Sequence, residues 1–170
     1  MSKVPCFKKG NDYCGIDGIK SIFWIIGSQR GGGFLLGGGH DADGKGYCYW
    51  HRGQVTYDGT MYQGATNDCP LLHNGVSFAE ARRAAWRRNG ASIPYNKPWP
   101  EGGLSGGWDQ LSMIVANDED TVNAGGFAYD GRLYGSDYGR QGLAEVLMYG
   151  CRLTDAERDQ VECYLRCKWD

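Results

Sequence analysis

The sequence predicts an all-β, turn-rich domain, and three observations carry that reading. Glycine supplies 28 of 170 residues, more than twice the roughly 7% usual in globular proteins. The apolar runs are short and rich in aromatic and β-branched residues, the longest being Ile22-Phe23-Trp24-Ile25-Ile26. The overall composition is still that of a folded chain, 41% hydrophobic, 13% aromatic and 22% charged. Glycine and proline together, 28 and 5 residues, stay below the roughly 25–30% that marks low-complexity disorder. No Gly-X-Y period is present, which excludes collagen. A helix bundle is disfavoured because each interior glycine costs about 1 kcal/mol relative to alanine. A chain of 170 residues suits one such domain, and one that size buries roughly two thirds of its unfolded surface.

The elements follow in order. Residues 1–18 are polar and broken by Gly and Cys, and read as an N-terminal arm before a domain over 19–170. Residues 20–27 form a continuous apolar stretch, the pattern of a strand buried on both faces. Two Gly-Gly-Gly runs at 31–33 and 37–39 bracket Phe34-Leu35-Leu36 and suggest a hairpin. Tyr47 to Arg52 alternates as a strand, and 53–75 reads as short strands between long loops. Residues 78–88 have helix-forming composition, but Asn89-Gly90 follows at once. Asn-Gly favours a type I′ hairpin turn, whose two central residues both need positive φ. The reading is therefore a helix confined to 78–84 and a strand ending in Trp86-Arg87-Arg88. Residues 94–107 form a Pro- and Gly-rich loop, then Gln110–Ala116, Gly125–Tyr129 and Leu143–Tyr149 read as strands.

The last segment is the clearest helix. Thr154 is its N-cap, and Glu157, three residues on, completes a capping box. Val161, Tyr164, Leu165 and Trp169 fall on one face, the stripe expected to dock on the sheet, with Lys168 between them. Cys163 and Cys167 are i,i+4 neighbours on the opposite face.

Charge and cysteines narrow the function. A net charge of −2 removes the electrostatic footprint of a generic nucleic-acid binder. The basic cluster Arg82, Arg83, Arg87 and Arg88 reads as a solvated face, with Glu80 and Glu101 near in sequence. No run approaches the ~20 apolar residues that span a bilayer, and residues 1–20 hold no signal-peptide core. Seven cysteines without a Cys-x-x-Cys argue against a zinc ribbon or a thioredoxin-type site. They favour a segment of a larger exported protein at the cell surface. Cys6 and Cys14 are expected to bridge to Cys163 and Cys167, with Cys48–Cys69 a further possible pair and Cys151 left over; sequence alone does not fix the pairing.

The C-terminus carries a resemblance. Leu143-Ala-Glu-Val-Leu-Met-Tyr149, Arg152-Leu-Thr-Asp-Ala-Glu-Arg158 and Val161-Glu-Cys-Tyr-Leu-Arg-Cys-Lys-Trp169 are in register with a family ending. They resemble the closing motif of laminin-G-like domains of the concanavalin A-like lectin/glucanase superfamily. More loosely, the Phe23-Trp24 strand, the Arg88-Asn89-Gly90 hairpin and Gly125-Gly126-Phe127-Ala128 fit the same family. The resemblance implies a jelly-roll sandwich of two antiparallel sheets with one C-terminal α-helix, whose edges are managed by double-sheet closure. It also implies that Glu145, Tyr149, Arg158, Tyr164 and Trp169 are structural, tying helix to sheet.

Glucan-cleaving relatives carry Glu-x-Asp-x-x-Glu on one strand, with carboxylates about 5 Å apart for retaining chemistry; the pattern is absent here. Asp118-Glu119-Asp120 reads as a solvated turn after Asn117, and no Gly-x-Ser-x-Gly occurs. The two glycine triplets precede no helix, so they form no phosphate-binding loop. Binding is the better class. Sugar recognition needs flat aromatic faces with nearby amides, acids and Arg. Tyr95 and Trp99 sit in the Pro-stiffened stretch 95–100, and Tyr57, Asp58 and Tyr62 are further loop residues. Tyr134, Asp137, Tyr138 and Arg140 share a loop, while His51-Arg52 end a strand at the rim. Asp41 and Asp43, after His40 and before Gly44, are oxygen ligands of the type calcium takes, and relatives carry rim calcium, but the EF-hand spacing is absent. The expectation is a non-catalytic extracellular module that recognises a glycan or a surface protein, with calcium the one cofactor the pattern allows. Alternatives are a structural or adhesion domain without a small-molecule site, and a divergent glycoside hydrolase.

Overall fold

The computed structural model of the chain describes residues 16–27, 35–36, 71–72, 79–97, 101, 104–105, 107–124 and 142–169. The elements are β1 (Ile16–Ile19), β2 (Ser21–Gly27), α1 (Ala79–Arg83), β3 (Ala85–Arg88), β4 (Ala91–Ser92), β5 (Trp108–Ile114), β6 (Val122–Ala124), β7 (Gly142–Tyr149) and α2 (Asp155–Trp169). They form a two-stranded sheet, β1-β6, and a five-stranded sheet in the order β4-β3-β5-β2-β7. Every pairing is antiparallel. The described fold is thus mostly β, two antiparallel sheets and a C-terminal helix, consistent with a sandwich.

β2 explains why its sequence is apolar throughout. It lies between β5 and β7, and all seven of its residues are buried. On one side Ile22, Trp24 and Ile26 join Trp86, Leu111 and Met113, together with Ile19, Val122 and Ala124 of the small sheet. Trp24 and Trp86 stack there, centroids 5.8 Å apart and planes 11° from parallel. The Trp86 indole N–H donates to Ala81 O at 2.8 Å and ties α1 to the core. On the other side Phe23 and Ile25 pack with Ile114, Leu153 and Leu165 beneath α2.

The hairpin after β3 forms as its sequence requires. Asn89 has φ 51° and Gly90 φ 80°, the double positive φ of a type I′ turn. The Asn89 side chain is also used: its Oδ1 accepts from Gln110 N at 2.8 Å and its Nδ2 donates to Asp109 Oδ1 at 3.0 Å. Residues 117–120 form the expected exposed turn, with Asp120 N donating to Asn117 O at 3.2 Å. Two short strands are additions: β1 starts at Ile16, inside the stretch read as an arm, and β6 precedes the expected strand at 125–129. The strands read at Tyr47–Arg52 and Gly125–Tyr129, and most of the glycine-bracketed hairpin, lie outside the described residues.

The helix α2 starts as expected and docks differently. Thr154 N donates to Glu157 Oε2 at 2.8 Å, and Glu157 N donates to Thr154 Oγ1 at 3.3 Å, closing the capping box. The buried residues of α2 are Arg158, Glu162 and Leu165, whereas Tyr164 and Trp169 are 51% and 46% exposed. Of the expected stripe, Leu165 and Val161 therefore pack on the sheet and the two aromatics do not. The reason lies in β5, which turns Gln110 and Ser112 towards the helix. Arg158 Nε donates to Ser112 Oγ at 2.9 Å, and its Nη2 donates to Ser112 O and Ala85 O, each at 3.0 Å. Glu162 takes the Arg158 guanidinium at 3.2 Å and the Ser112 hydroxyl, and its backbone oxygen accepts from Gln110 Nε2 at 2.7 Å. A buried polar row on the sheet demands polar partners, so the i,i+4 pair Arg158/Glu162 faces inwards.

The basic cluster is largely neutralised within the fold. Arg87 meets Asp159 at 2.6 Å, Asp155 at 3.1 Å and Glu162 at 3.6 Å, all on α2. Arg83 meets Asp120 at 3.2 Å and Glu80 at 3.6 Å. Glu80 is one of the two acids expected from proximity in sequence; the others come from α2 and the 117–120 turn.

Candidate functional site

The surface feature that stands apart is Trp108, the first residue of β5 and 61% exposed. Register places Trp108 opposite Gly27, and Gly27 opposite Gly142, in one rank across β5, β2 and β7. The indole lies over both glycines. A Cβ built on Gly27 would stand 3.2 Å from Cδ2 and Cε2 of the ring, and one on Gly142 would stand 2.9 Å from Cη2. Two missing side chains thus make a floor, and the indole rests on it with substantial area open to solvent.

The backbone beneath Trp108 is fixed from several sides. Asp109 is 1% exposed, and its carboxylate accepts from Ser105 N at 2.6 Å and from Asn89 Nδ2 at 3.0 Å. Gly107 N donates in turn to Ser105 Oγ at 3.3 Å. One buried carboxylate therefore clamps the chain entering β5 to the β3–β4 turn. Burial lowers the Arg88 pKa, an effect opposed by the charge of Asp109. A platform set on a strand and held this way loses little conformational entropy when a ligand stacks on it.

Alternation puts Trp108, Gln110 and Ser112 on one face of β5; contacts from Gln110 and Ser112 identify it as the face that carries α2. Beside it on β7, Glu145 shares the rank of Ile25 and Gln110. Two residues of strand, about 7 Å, separate that rank from Trp108. Glu145 Oε2 accepts from Trp169 Nε1 at 2.6 Å and meets Lys168 Nζ at 2.9 Å. The indole N–H of Trp169 and then Lys168 hold the Glu145 carboxyl below its ordinary pKa. The hydrogen bond from Lys168 to Glu145 raises the lysine pKa in return. Lys168 Nζ also lies 5.5 Å from the ring centroids of both Tyr164 and Trp169. The C-terminal end of α2 therefore carries exposed aromatics, and its Lys168 pairs with Glu145 of β7, on the same side of the sheet as Trp108.

Tyr95 is half-buried and packs against the main core, and its backbone oxygen accepts from Leu72 N at 3.3 Å. The other residues read as ligand contacts, Trp99, His51, Arg52, Tyr134, Asp137, Tyr138 and Arg140, lie outside the described residues. So do Tyr57, Asp58, Tyr62 and the calcium candidates Asp41 and Asp43. Among the described residues no group of three or more His, Cys, Asp or Glu is placed to hold a metal ion. None of the described helices is long and apolar enough to cross a membrane. Cys151, Cys163 and Cys167 are exposed, and no disulfide is seen among the described residues. Cys6 and Cys14, the expected partners of the last two, lie outside the described residues.

Trp108 itself is absent from the contacts read out of the sequence. Its signal there is faint: a tryptophan after Gly106-Gly107 at the head of an alternating strand. What makes it a platform is the pairing with Gly27 and Gly142, which only the sheet register supplies. No family model matches this chain, no curated protein matches it, and no solved structure matches it.

Proposed function

We propose that this chain is a non-catalytic carbohydrate-binding module of laminin-G-like, jelly-roll type, working outside the cell as part of a larger surface protein. The observation that carries the reading is the exposed Trp108 indole lying over Gly27 and Gly142. A pyranose ring presents a patch of C–H groups to a flat aromatic face, while its hydroxyls need charged or amide partners nearby. Glu145 and Lys168, two residues of strand away, are groups of that kind. Antiparallel sheets closed by a C-terminal helix agree with the architecture that residues 143–169 resemble. The loop residues Trp99, Tyr134, Asp137, Tyr138 and Arg140, with His51 and Arg52, extend the contact surface in this reading, and Asp41 and Asp43 are its calcium ligands.

A second reading is a structural or adhesion domain, in which Trp108, Tyr164 and Trp169 are covered by a neighbouring domain; their joint exposure favours it. A glycan array, probed with and without calcium, separates the two. Binding that disappears in Trp108→Ala supports the module reading, and loss in Trp99→Ala extends the site to the loop. Silence across all glycans from a folded protein favours the structural domain. Release of reducing sugar from a polysaccharide overturns the non-catalytic assignment.

The extracellular setting also supplies an oxidant for disulfides. Cys163 and Cys167 are exposed on α2, accessible to bridges from Cys6 and Cys14. A thiol count under denaturing, non-reducing conditions then finds no reaction at these four positions. Reaction of six or all seven cysteines rules the bridges out.

A further inference from the structure

A concave site lies at the opposite end of α2 from Trp169. It is a pocket of about 320 Å³ lined by Arg83, Arg152, Leu153, Thr154, Asp155 and Arg158, among others. Its volume falls at the lower end of the roughly 300–1,000 Å³ typical of small-molecule sites. Three guanidiniums face it against one carboxylate, and Asp155 Oδ1 is already taken by Arg87 Nη2 at 3.1 Å.

The state of Arg158 is the telling feature. The side chain is 2% exposed. Its Nε is used by Ser112 and Glu162, and its Nη2 by Ser112 and Ala85. Nη1 has no hydrogen-bond partner among the described residues. A guanidinium has five N–H donors, so two of them are left over, and Nη1 is not a fully buried atom but opens onto the adjoining space. The space Arg158 lines is this pocket.

Arg152 completes the arrangement from the rim. Its Nε donates to Val115 O at 3.0 Å, which fixes the guanidinium, and its terminal nitrogens have no partner among the described residues. Arg83, at the same pocket, gives one terminal nitrogen to Asp120 at 3.2 Å.

We propose that this pocket binds a small oxyanion, held between Arg158 Nη1 on its floor and the terminal nitrogens of Arg152 at its mouth. Charge-assisted bonds from two guanidiniums are the strong class of hydrogen bond, and the planar fork suits an oxyanion's paired oxygens. Desolvation depresses the Arg158 pKa below the ordinary arginine value, and a bound anion offsets that penalty. The first turn of α2 adds the positive end of a 15-residue helix. The oxyanion is either free, as inorganic sulfate, or an ester on a sugar.

Isothermal titration of the whole chain with sodium sulfate and with glucose 6-sulfate, at constant ionic strength, tests the site. The expected result is saturable one-site binding of at least one of the two. Arg152→Ala, a change at an exposed position, weakens it at least tenfold, while Arg166→Ala leaves it unchanged. Arg83→Ala, also exposed, weakens it by a smaller factor and serves as the second variant. Equal affinity for both ligands identifies a free-ion site, and tenfold preference for glucose 6-sulfate identifies an ester-bearing ligand. The proposal is overturned if neither ligand gives saturable heat, or if Arg152→Ala, shown folded by circular dichroism, binds as the parent does. It does not depend on the Trp108 reading, and inorganic sulfate probes it without any sugar.

Discussion

The indole of Trp108 reaches across the whole of β2 to lie on Gly142 of β7, 2.9 Å from where a Cβ on that glycine would stand. Side chains in a sheet usually stand roughly perpendicular to it. Here the indole lies down because Gly27 and Gly142 both leave the space beneath it empty. The platform is therefore a property of three strands, not of one exposed residue.

Gly142→Ala tests this relationship directly. The new methyl meets the far edge of a side chain that is open to solvent, so the indole can move away. Gly→Ala at an unstrained position also stabilises by about 0.4–1 kcal/mol through the unfolded state. The unfolding free energy measured in urea is accordingly expected to change by no more than about 1 kcal/mol in either direction. The near-ultraviolet dichroism of Trp108 changes, and any glycan affinity of the parent falls. Unchanged aromatic dichroism with unchanged binding would contradict the packing described.

Arg158 and Glu162 make a stronger stability prediction. Arg158→Leu leaves Glu162, a 3% exposed residue, facing a buried serine without its guanidinium, and breaking one side of a buried pair costs about 3–5 kcal/mol. Replacing both with leucine removes the desolvation cost of both charges but leaves Ser112 Oγ, Ser112 O and Ala85 O without these partners, so it is expected to recover only part of that loss. Urea denaturation of the two single variants and the double variant checks it. Additive losses in the double variant would show that the two charges act independently.

The same pair shows where sequence reading succeeds and where it stops. Residues 21–27, Asn89-Gly90 and Thr154/Glu157 are local: each element is specified by its own residue types and spacing, and each forms as expected. The docking face of α2 is not local. Hydrophobic periodicity finds Val161 and Leu165 but adds Tyr164 and Trp169 and omits Arg158 and Glu162, because it scores those two as polar without knowing that Ser112, Gln110 and Ala85 wait on the sheet to satisfy them. Trp108 is hidden for a related reason, since a platform built from cross-strand partners exists only once the register is known. The short strands β1 and β6 stabilise each other by pairing and carry little pattern of their own. Thr154 at the helix start is the plain case.

Thr154→Ala removes the hydroxyl that accepts from Glu157 N at 3.3 Å. Loss of a Ser/Thr cap typically costs about 1 kcal/mol. The expected effect is a loss of that size in chemical denaturation, with Thr154→Ser close to the parent because serine keeps both the acceptor for Glu157 N and the donor to Glu157 Oε2. A Thr154→Ala protein as stable as the parent would mean that packing alone positions the first turn.

The acid limb of the stability curve follows from two carboxyls. Glu145 is held below its ordinary value of 4.5 by the Trp169 N–H and then by Lys168. Glu157 is held below the same 4.5 by the backbone N–H and then the hydroxyl of Thr154. A carboxyl whose folded pKa lies below its unfolded one binds fewer protons in the native state. Its contribution is therefore complete above the unfolded value and is lost as pH falls through the folded one. Stability is expected to hold from neutrality down to about pH 5 and then to fall progressively at lower pH. Urea midpoints measured across that range give the slope. Glu145→Gln keeps an acceptor for Trp169 but cannot titrate, so its curve should be flatter below the ordinary carboxylate value. An acid slope identical to the parent's would show that the link from Glu145 to the end of α2 carries no proton-linked stability.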